Sequence, residues 1–186
     1  YKGKEVVVVG DSLGRQYYFS LLANMGSPAP EAHVIDAPKH QDLKWEGEGK
    51  VARNVSFLWR PYVKDVLEEV QRWREGGMKG GKEVVVMSFG LWDTLHKTSE
   101  EDYAEALEAL SKSLAAGEGG KEEGVEGEER FWAWLVPTGI VDGKLQTEEK
   151  RTNMTEEQVA RLRKQTMGSG LLQGGGVVLL DGKGVS

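Results

Sequence analysis

Hydrophobic positions along the chain fall into short blocks that alternate between two spacings. Continuous or alternating apolar residues occur in the segments 4–9, 51–59, 83–89, 131–136 and 177–180. Between these segments, apolar residues recur every three or four positions, as they do on one face of an amphipathic helix. This alternation of strand and helix predicts a parallel sheet that is covered by helices on both faces.

The order of these elements predicts an α/β fold with three α/β/α layers, of the flavodoxin-like type, around a five-stranded, mainly parallel sheet. A TIM barrel would need more strands, and no Gly-x-Gly-x-x-Gly follows the first strand as a dinucleotide-binding fold requires. Residues 32–36 have the pattern of a further short strand, and 38–50 read as a polar surface excursion. Residues 117–130 are almost all Gly, Glu and Lys, which predicts a disordered insertion. We therefore predict one domain spanning residues 1–186.

Composition narrows the classes of function. The net charge of −6 argues against a nucleic-acid partner. The absence of cysteine excludes disulfides and cysteine–zinc sites, and no metal site is predicted. No apolar run is long enough to span a membrane. Two sequons, at Asn54 and Asn153, permit a secretory location.

The strongest chemical signal is the segment 10–16, Gly-Asp-Ser-Leu-Gly-Arg-Gln, which follows four consecutive valines. It predicts a tight turn from the first strand into a helix, with Ser12 at the carboxyl edge of the sheet, where ligands bind in such folds. A helix N-terminus also stabilises negative charge. Arg15 follows one turn later and can face the same pocket. The simpler alternative is that Ser12 only caps the helix.

The Gly-Asp-Ser block resembles the first block of the SGNH/GDSL hydrolase superfamily. The longer pattern Gly-Asp-Ser-x-x-Arg-Gln resembles the lumenal SGNH-like (PC-esterase-type) domain of the glycan O-acetyltransferases, namely the animal sialic-acid O-acetyltransferase and the related fungal capsule and plant wall-polysaccharide acetylating proteins. Residues 57–62, Phe-Leu-Trp-Arg-Pro-Tyr, and 151–155 are similar to two further segments of these proteins. The resemblance implies that Ser12 is the acyl-carrying nucleophile.

A second block, Gly-Leu-Trp-Asp at 90–93, follows the third predicted strand. SGNH hydrolases carry Gly-x-Asn-Asp there, whereas the acetyltransferase relatives also carry tryptophan. The resemblance implies that Asp11, Gly90, Arg15 and Trp92 contribute to oxyanion or substrate binding. The alternative for Trp92 is a packing role at the core or rim.

Arg60 is a further candidate, for binding a carboxylate, a sugar hydroxyl or the acetyl carbonyl. A solvated surface arginine is the alternative.

The general base is missing from the pattern. SGNH proteins supply it from an Asp-x-x-His motif after the last strand, but Asp181 is followed three residues later by Gly184. The three histidines, His33, His40 and His96, read as loop or surface residues, and His96 is the one nearest the Gly90 edge. We expect the chain to end before the motif, so that it holds the nucleophile without its base.

The predicted function is that of an O-acetyltransferase domain. Ser12 takes an acetyl group from acetyl-CoA or another donor, and a glycan hydroxyl then receives it, with no bound cofactor. The resemblance also implies a Golgi or secretory-pathway lumen and a membrane segment outside this chain. Two alternatives stay open: a carbohydrate esterase that uses water as the acceptor, and a catalytically inactive SGNH-like domain that binds a glycan or another partner.

Overall fold

A computed structural model describes residues 4–26, 40–47, 52–76, 83–116, 130–137, 147–174 and 176–181. The strands are β1 (Lys4–Gly10), β2 (Leu43–Glu46), β3 (Ala52–Trp59), β4 (Glu83–Ser88), β5 (Arg130–Val136) and β6 (Val177–Asp181). The helices are α1 (Ser12–Asn24), α2 (Val63–Gly76), α3 (Leu91–Leu95), α4 (Glu100–Ala115), α5 (Glu148–Asn153), α6 (Glu156–Gly168) and α7 (Leu171–Gly174). The predicted strand at 32–36 lies outside the described residues, as does the predicted insertion at 117–130 except for Arg130.

The strands form one sheet in the order β2-β3-β1-β4-β5-β6. All neighbouring pairs are parallel except β2 and β3, which run antiparallel. The predicted α/β fold with a mainly parallel sheet is confirmed, but the sheet has six strands where five were predicted. The added strand, β2, is a four-residue edge strand in which half-buried Leu43 and Trp45 alternate with exposed Lys44 and Glu46. So short an alternation within a polar segment is not recognisable from the sequence as a strand.

Helices cover both faces of the sheet. On one face, α1 packs Tyr18 and Leu22 against alternate residues of the strands, among them Val8 and Phe57. On the other face, residues of α2, α4, α6 and α7 pack against the remaining strand positions, including Val9. The valines of β1 therefore meet helices on both sides, which explains why this central strand is an unbroken hydrophobic run.

The end of β1 is shaped by a close approach between two strands. Gly10 pairs with Ser88, the last residue of β4, and has φ of +150°, a conformation that side chains with a Cβ rarely adopt. A Cβ placed on Gly10 would lie 1.8 Å from the carbonyl oxygen of Ser88. Only glycine fits here, and its presence brings the Gly-Asp-Ser turn directly over the end of β4.

Across the described ranges, no helix combines the length and the apolar composition that a membrane span needs.

Candidate functional site

Ser12 is the first residue of α1 and its side chain is exposed at the carboxyl edge of the sheet. The residue that caps this helix is Asp11, whose side chain accepts a hydrogen bond from the N–H of Leu13 at 3.0 Å. The alternative that Ser12 is a helix cap is therefore wrong. An exposed hydroxyl at a helix N-terminus is well placed to attack an electrophile, because the helix dipole stabilises the negative charge that develops there.

The Asp11 carboxylate is completely buried beneath this turn. Ser88 Oγ donates to its Oδ1 at 2.9 Å, and the Asp11 N–H donates to the Ser88 carbonyl at 3.1 Å. Burial raises the pKa of Asp11 from 3.8 to about 6, against the opposing effect of hydrogen bonds from Ser88, Leu13 and Gly14. The expectation that Asp11 contacts substrate does not fit this geometry, because its side chain faces Ser88 and has no exposed surface. Its role is to fix the turn that presents Ser12.

Gly90 and Asp93 form a second turn beyond the end of β4. Gly90 is the N-cap residue of α3 and has φ of +109°, and its carbonyl accepts hydrogen bonds from the Thr94 N–H at 3.0 Å and from Thr94 Oγ1 at 2.8 Å. Asp93 is buried; its Oδ2 accepts from the N–H of Val63 at 3.2 Å and its Oδ1 from Thr98 Oγ1 at 3.3 Å. Burial raises the pKa of Asp93 to about 6. Asp93 thus ties α3 to the start of α2, while the role of Gly90 in oxyanion binding stays a prediction.

The two arginines named from the sequence have different surroundings. The guanidinium of Arg15 packs over the ring of Phe19, with its central carbon 5.1 Å from the ring centroid. Arg60 Nε donates to Glu69 at 2.7 Å and Nη1 donates to Asp42 at 3.1 Å. Arg60 therefore links α2 to the segment before β2, and the structure favours a scaffold role for it over substrate binding.

Trp92 belongs to a cluster of aromatic rings at the same edge of the sheet. Its ring centroid lies 5.3 Å from that of Trp59, 6.1 Å from Tyr62 and 4.9 Å from His96. His40 stacks on Trp59 at 4.5 Å. Trp59, Tyr62 and Trp92 are half-buried, and the two histidines are exposed. These five side chains are called the aromatic platform below.

The histidine of the platform that follows α3 has a defined hydrogen-bonding environment. His96 Nδ1 lies 3.0 Å from Tyr62 Oη and 3.1 Å from the carbonyl oxygen of Trp92. In the tautomer that protonates Nδ1, the ring donates to one of these oxygens and Nε2 is left as an acceptor. Within the described part of the chain, no hydrogen bond joins Ser12 to His40 or His96, and His33 lies outside it. The general base therefore stays unassigned.

Ser88 and Asp93 were not predicted as site residues from the sequence. Asp93 lay inside the Gly-Leu-Trp-Asp block, and its burial shows that this block contributes a structural carboxylate as well as a half-buried ring. Ser88 is a small polar residue at the end of a hydrophobic strand, directly beside Gly10 in the sheet. The sequence shows this polar residue at the strand end, but only the pairing of β4 with β1 shows that it lies beside the Gly-Asp turn.

One predicted sequon has a structural use. Asn153 is buried, and its Nδ2 donates to the Leu95 carbonyl at 2.9 Å. In the folded chain this amide is occupied in holding α5 to α3. This asparagine therefore has a structural role that is independent of glycosylation.

A surface cavity of about 610 Å³ lies between α2 and α4 and is lined by residues that include Leu67, Asp93 and Ala106. Ser12 is not among its lining residues. The described residues also contain no group of three or more histidine and carboxylate side chains that could hold a metal ion.

No known protein-family profile matches the chain. The sequence is similar to the protein Altered Xyloglucan 9 of Arabidopsis thaliana, with 29% identity over 191 aligned residues. The alignment covers 96% of this chain and 51% of that protein, so the chain spans about half the length of this relative. The name of this plant relative refers to a polysaccharide, which agrees with the plant wall-polysaccharide side of the resemblance drawn from the sequence and not with its sialic-acid side.

Proposed function

We propose that this chain is the serine-bearing part of an O-acetyltransferase that modifies a neutral polysaccharide, with Ser12 as the nucleophile. The observation that carries the proposal is the placement of Ser12. Its hydroxyl is exposed at the first position of α1, on a turn that Gly10 and buried Asp11 hold against β4. The similarity to a protein named for xyloglucan supports a polysaccharide as the acceptor.

The reaction is a double displacement. Ser12 Oγ attacks the carbonyl carbon of an acetyl donor, its proton passes to a general base, and the donor's leaving group departs. The oxyanion of the tetrahedral intermediate accepts hydrogen bonds from backbone N–H groups at the start of α1 and near Gly90. A sugar hydroxyl then attacks the acetyl-serine ester, the bond from Oγ to the acetyl carbon breaks, and the proton returns to Ser12. The donor is acetyl-CoA or another activated acetyl compound.

Two further parts of the proposal rest on the family resemblance alone. One is a location in the Golgi or elsewhere in the secretory pathway, together with attachment to a membrane outside this chain. The other is a histidine from an Asp-x-x-His motif as the base. A protein that contains this chain and about as many residues again, like its relative, offers room for both.

The test uses the longest natural product that contains this chain. It is incubated with an isotopically labelled acetyl donor and xyloglucan oligosaccharides, and label is followed on the protein by mass spectrometry and on the sugar by chromatography. We expect label on Ser12 and then on sugar. Ser12→Ala should lower transfer by more than about a thousandfold, while Ser20→Ala, on the same helix, should leave it unchanged.

Other outcomes separate the alternatives. Release of free acetate in preference to acetyl sugar would assign the chain to the esterases. Full activity of Ser12→Ala would overturn the mechanism. Binding of oligosaccharide without any labelling of the protein would identify an inactive glycan-binding domain and would contradict the proposal.

A further inference from the structure

The aromatic platform is built from separate parts of the chain that converge on one place. His40 precedes β2, Trp59 ends β3, Tyr62 precedes α2, and Trp92 and His96 lie in and just after α3. Neither tryptophan is fully buried, although each has a face in contact with other rings. Part of the surface of each tryptophan ring therefore stays exposed to solvent, where a ligand can contact it.

The topology places this platform over the end of β1. In the sheet, β1 lies between β3 and β4. Gly10 pairs with Trp59 on one side and with Ser88 on the other. A ring contact between Trp59 and Trp92, which follows β4, therefore has to cross the carboxyl end of β1. The residue that leaves this end, one step after Asp11, is Ser12.

We propose that the aromatic platform is the subsite for a sugar ring of the acceptor, with Trp59 and Trp92 as its stacking surfaces. This inference rests on the proposed function, since it assigns the acceptor side of the same site. The axial C–H bonds of a pyranose pack against aromatic faces, and sugar hydroxyls require polar groups at the rim. Tyr62 Oη and the His96 ring provide such groups beside Trp92.

Charge favours an uncharged sugar over a phosphate-bearing donor or an acidic sugar. Arg60, which follows Trp59, is paired with both Asp42 and Glu69, whereas Lys97, which follows His96, is exposed to solvent. Asp65 accepts a hydrogen bond from the Tyr62 N–H, and Asp93 lies buried next to Trp92. The carboxylates around the rings would repel a nucleotide or a uronic acid. The platform therefore suits a neutral pyranose.

Binding is measured without an acetyl donor, so that no turnover occurs. Isothermal titration with xyloglucan oligosaccharides is expected to show affinity about tenfold weaker for Trp92→Ala and for Trp59→Ala. Trp92→Phe, which keeps a ring, should retain most of the affinity and excludes misfolding as the cause. Phe131→Ala is the matched control, because Phe131 is an exposed aromatic at the start of β5, away from this edge. Oligogalacturonides should bind more weakly than the neutral sugar.

A second measurement separates this inference from the proposed function. In Trp92→Ala, transfer to sugar should show a raised KM for the sugar, and this change should exceed the change in the rate at which the donor alone acetylates Ser12. Unchanged sugar affinity in both tryptophan variants, with Ser12 acetylation intact, would overturn the subsite and leave the proposed function standing. Slower acetylation with unchanged sugar affinity would assign the platform to the donor and contradict the inference. Absence of Ser12 acetylation in the unaltered protein would instead overturn the proposed function.

Discussion

Ser88 Oγ donates a hydrogen bond of 2.9 Å to Oδ1 of Asp11, which lies 77 residues away in the sequence. The two residues lie at the ends of neighbouring parallel strands, and both are completely buried. This bond, with the one from the Asp11 N–H to the Ser88 carbonyl, fixes the turn from which Ser12 projects. The position of the proposed nucleophile thus depends on a pair of residues that has no exposed surface.

Ser88→Ala is expected to destabilise the fold. It removes one of the hydrogen bonds to a buried carboxylate, and a loss of this kind costs about 1–3 kcal/mol. Urea unfolding followed by circular dichroism measures the change. Ser113→Ala, in half-buried surroundings on α4, is the control and should stay within about 0.5 kcal/mol of the unaltered chain. Equal stability of the two variants would show that the hydrogen bond from Ser88 to Asp11 makes no net contribution to the free energy of unfolding.

The stability of the chain should depend on pH through Asp11. Its pKa is raised by burial from 3.8 to about 6, so the folded chain binds this proton more tightly than the unfolded chain. The resulting stabilisation is complete below pH 3.8 and is lost as the pH rises through about 6. A shift of this size corresponds to roughly 3 kcal/mol.

Asp11→Asn isolates this effect, because the amide oxygen can still accept from Leu13 and Ser88 but does not titrate. The free energy of unfolding of the unaltered chain, minus that of Asp11→Asn, is expected to fall between about pH 4 and pH 7 and then to level off. Urea unfolding at a series of pH values measures the difference. A difference that rises with pH would mean that Asp11 is stabilised as the anion, and would contradict the burial argument.

The strands and helices that depend on strong hydrophobic patterns are predictable from the sequence. The four valines of β1 and the apolar stripes of α2 and α4 are the residues that the fold buries. Their spacing along the sequence is therefore enough to locate these three elements. β2 was missed because its alternation is four residues long and lies in a polar segment.

The candidate site was predicted less completely than the fold. Ser12 and Trp92 follow strand ends and stand in blocks with a recognisable resemblance. Asp11 was assigned to oxyanion or substrate binding by the family resemblance, whereas the structure buries it against Ser88, a contact between distant parts of the chain. The aromatic platform likewise comes from three separate segments of the chain, before β2, at the end of β3 and after β4, which only the order of strands in the sheet brings together.

Gly10→Ala is expected to disrupt the turn that presents Ser12. A Cβ at this position would lie 1.8 Å from the Ser88 carbonyl oxygen, and the backbone φ of +150° is unfavourable for alanine. Because backbone atoms must move to relieve the clash, we expect a loss of more than about 3 kcal/mol.

Two other glycines provide graded controls for this substitution. Gly26→Ala, with φ of +77° and open space around the Cβ, should cost only about 1–2 kcal/mol. Gly168→Ala also has open space, at the end of α6, and should be neutral or slightly stabilising. Thermal unfolding of the three variants should give this order. Similar losses of stability in the Gly10 and Gly26 variants would show that the clash with Ser88 adds nothing to the cost of the positive φ angle.

Arg60→Ala is expected to reduce stability even in the absence of any ligand. Glu69 is nearly buried and is paired with Arg60 and with Arg72, whose own side chain is largely exposed. Removing Arg60 leaves a buried carboxylate with one exposed partner and releases Asp42, at a cost of about 2–3 kcal/mol. Arg60→Lys should recover only part of this, because an ammonium cannot present the same planar set of donors to both carboxylates.

Arg161→Ala serves as the control for this substitution, since Arg161 and its partner Glu100 are both more than half exposed and their pair should contribute less than about 1 kcal/mol. Unfolding in urea at neutral pH measures all three variants. A double-mutant cycle with Glu69→Gln then tests whether the loss comes from this pair, because the two substitutions should be strongly non-additive. If Arg60→Ala were as stable as the unaltered chain but impaired in transfer, Arg60 would be a substrate-binding residue and the scaffold role that its contacts indicate would be wrong.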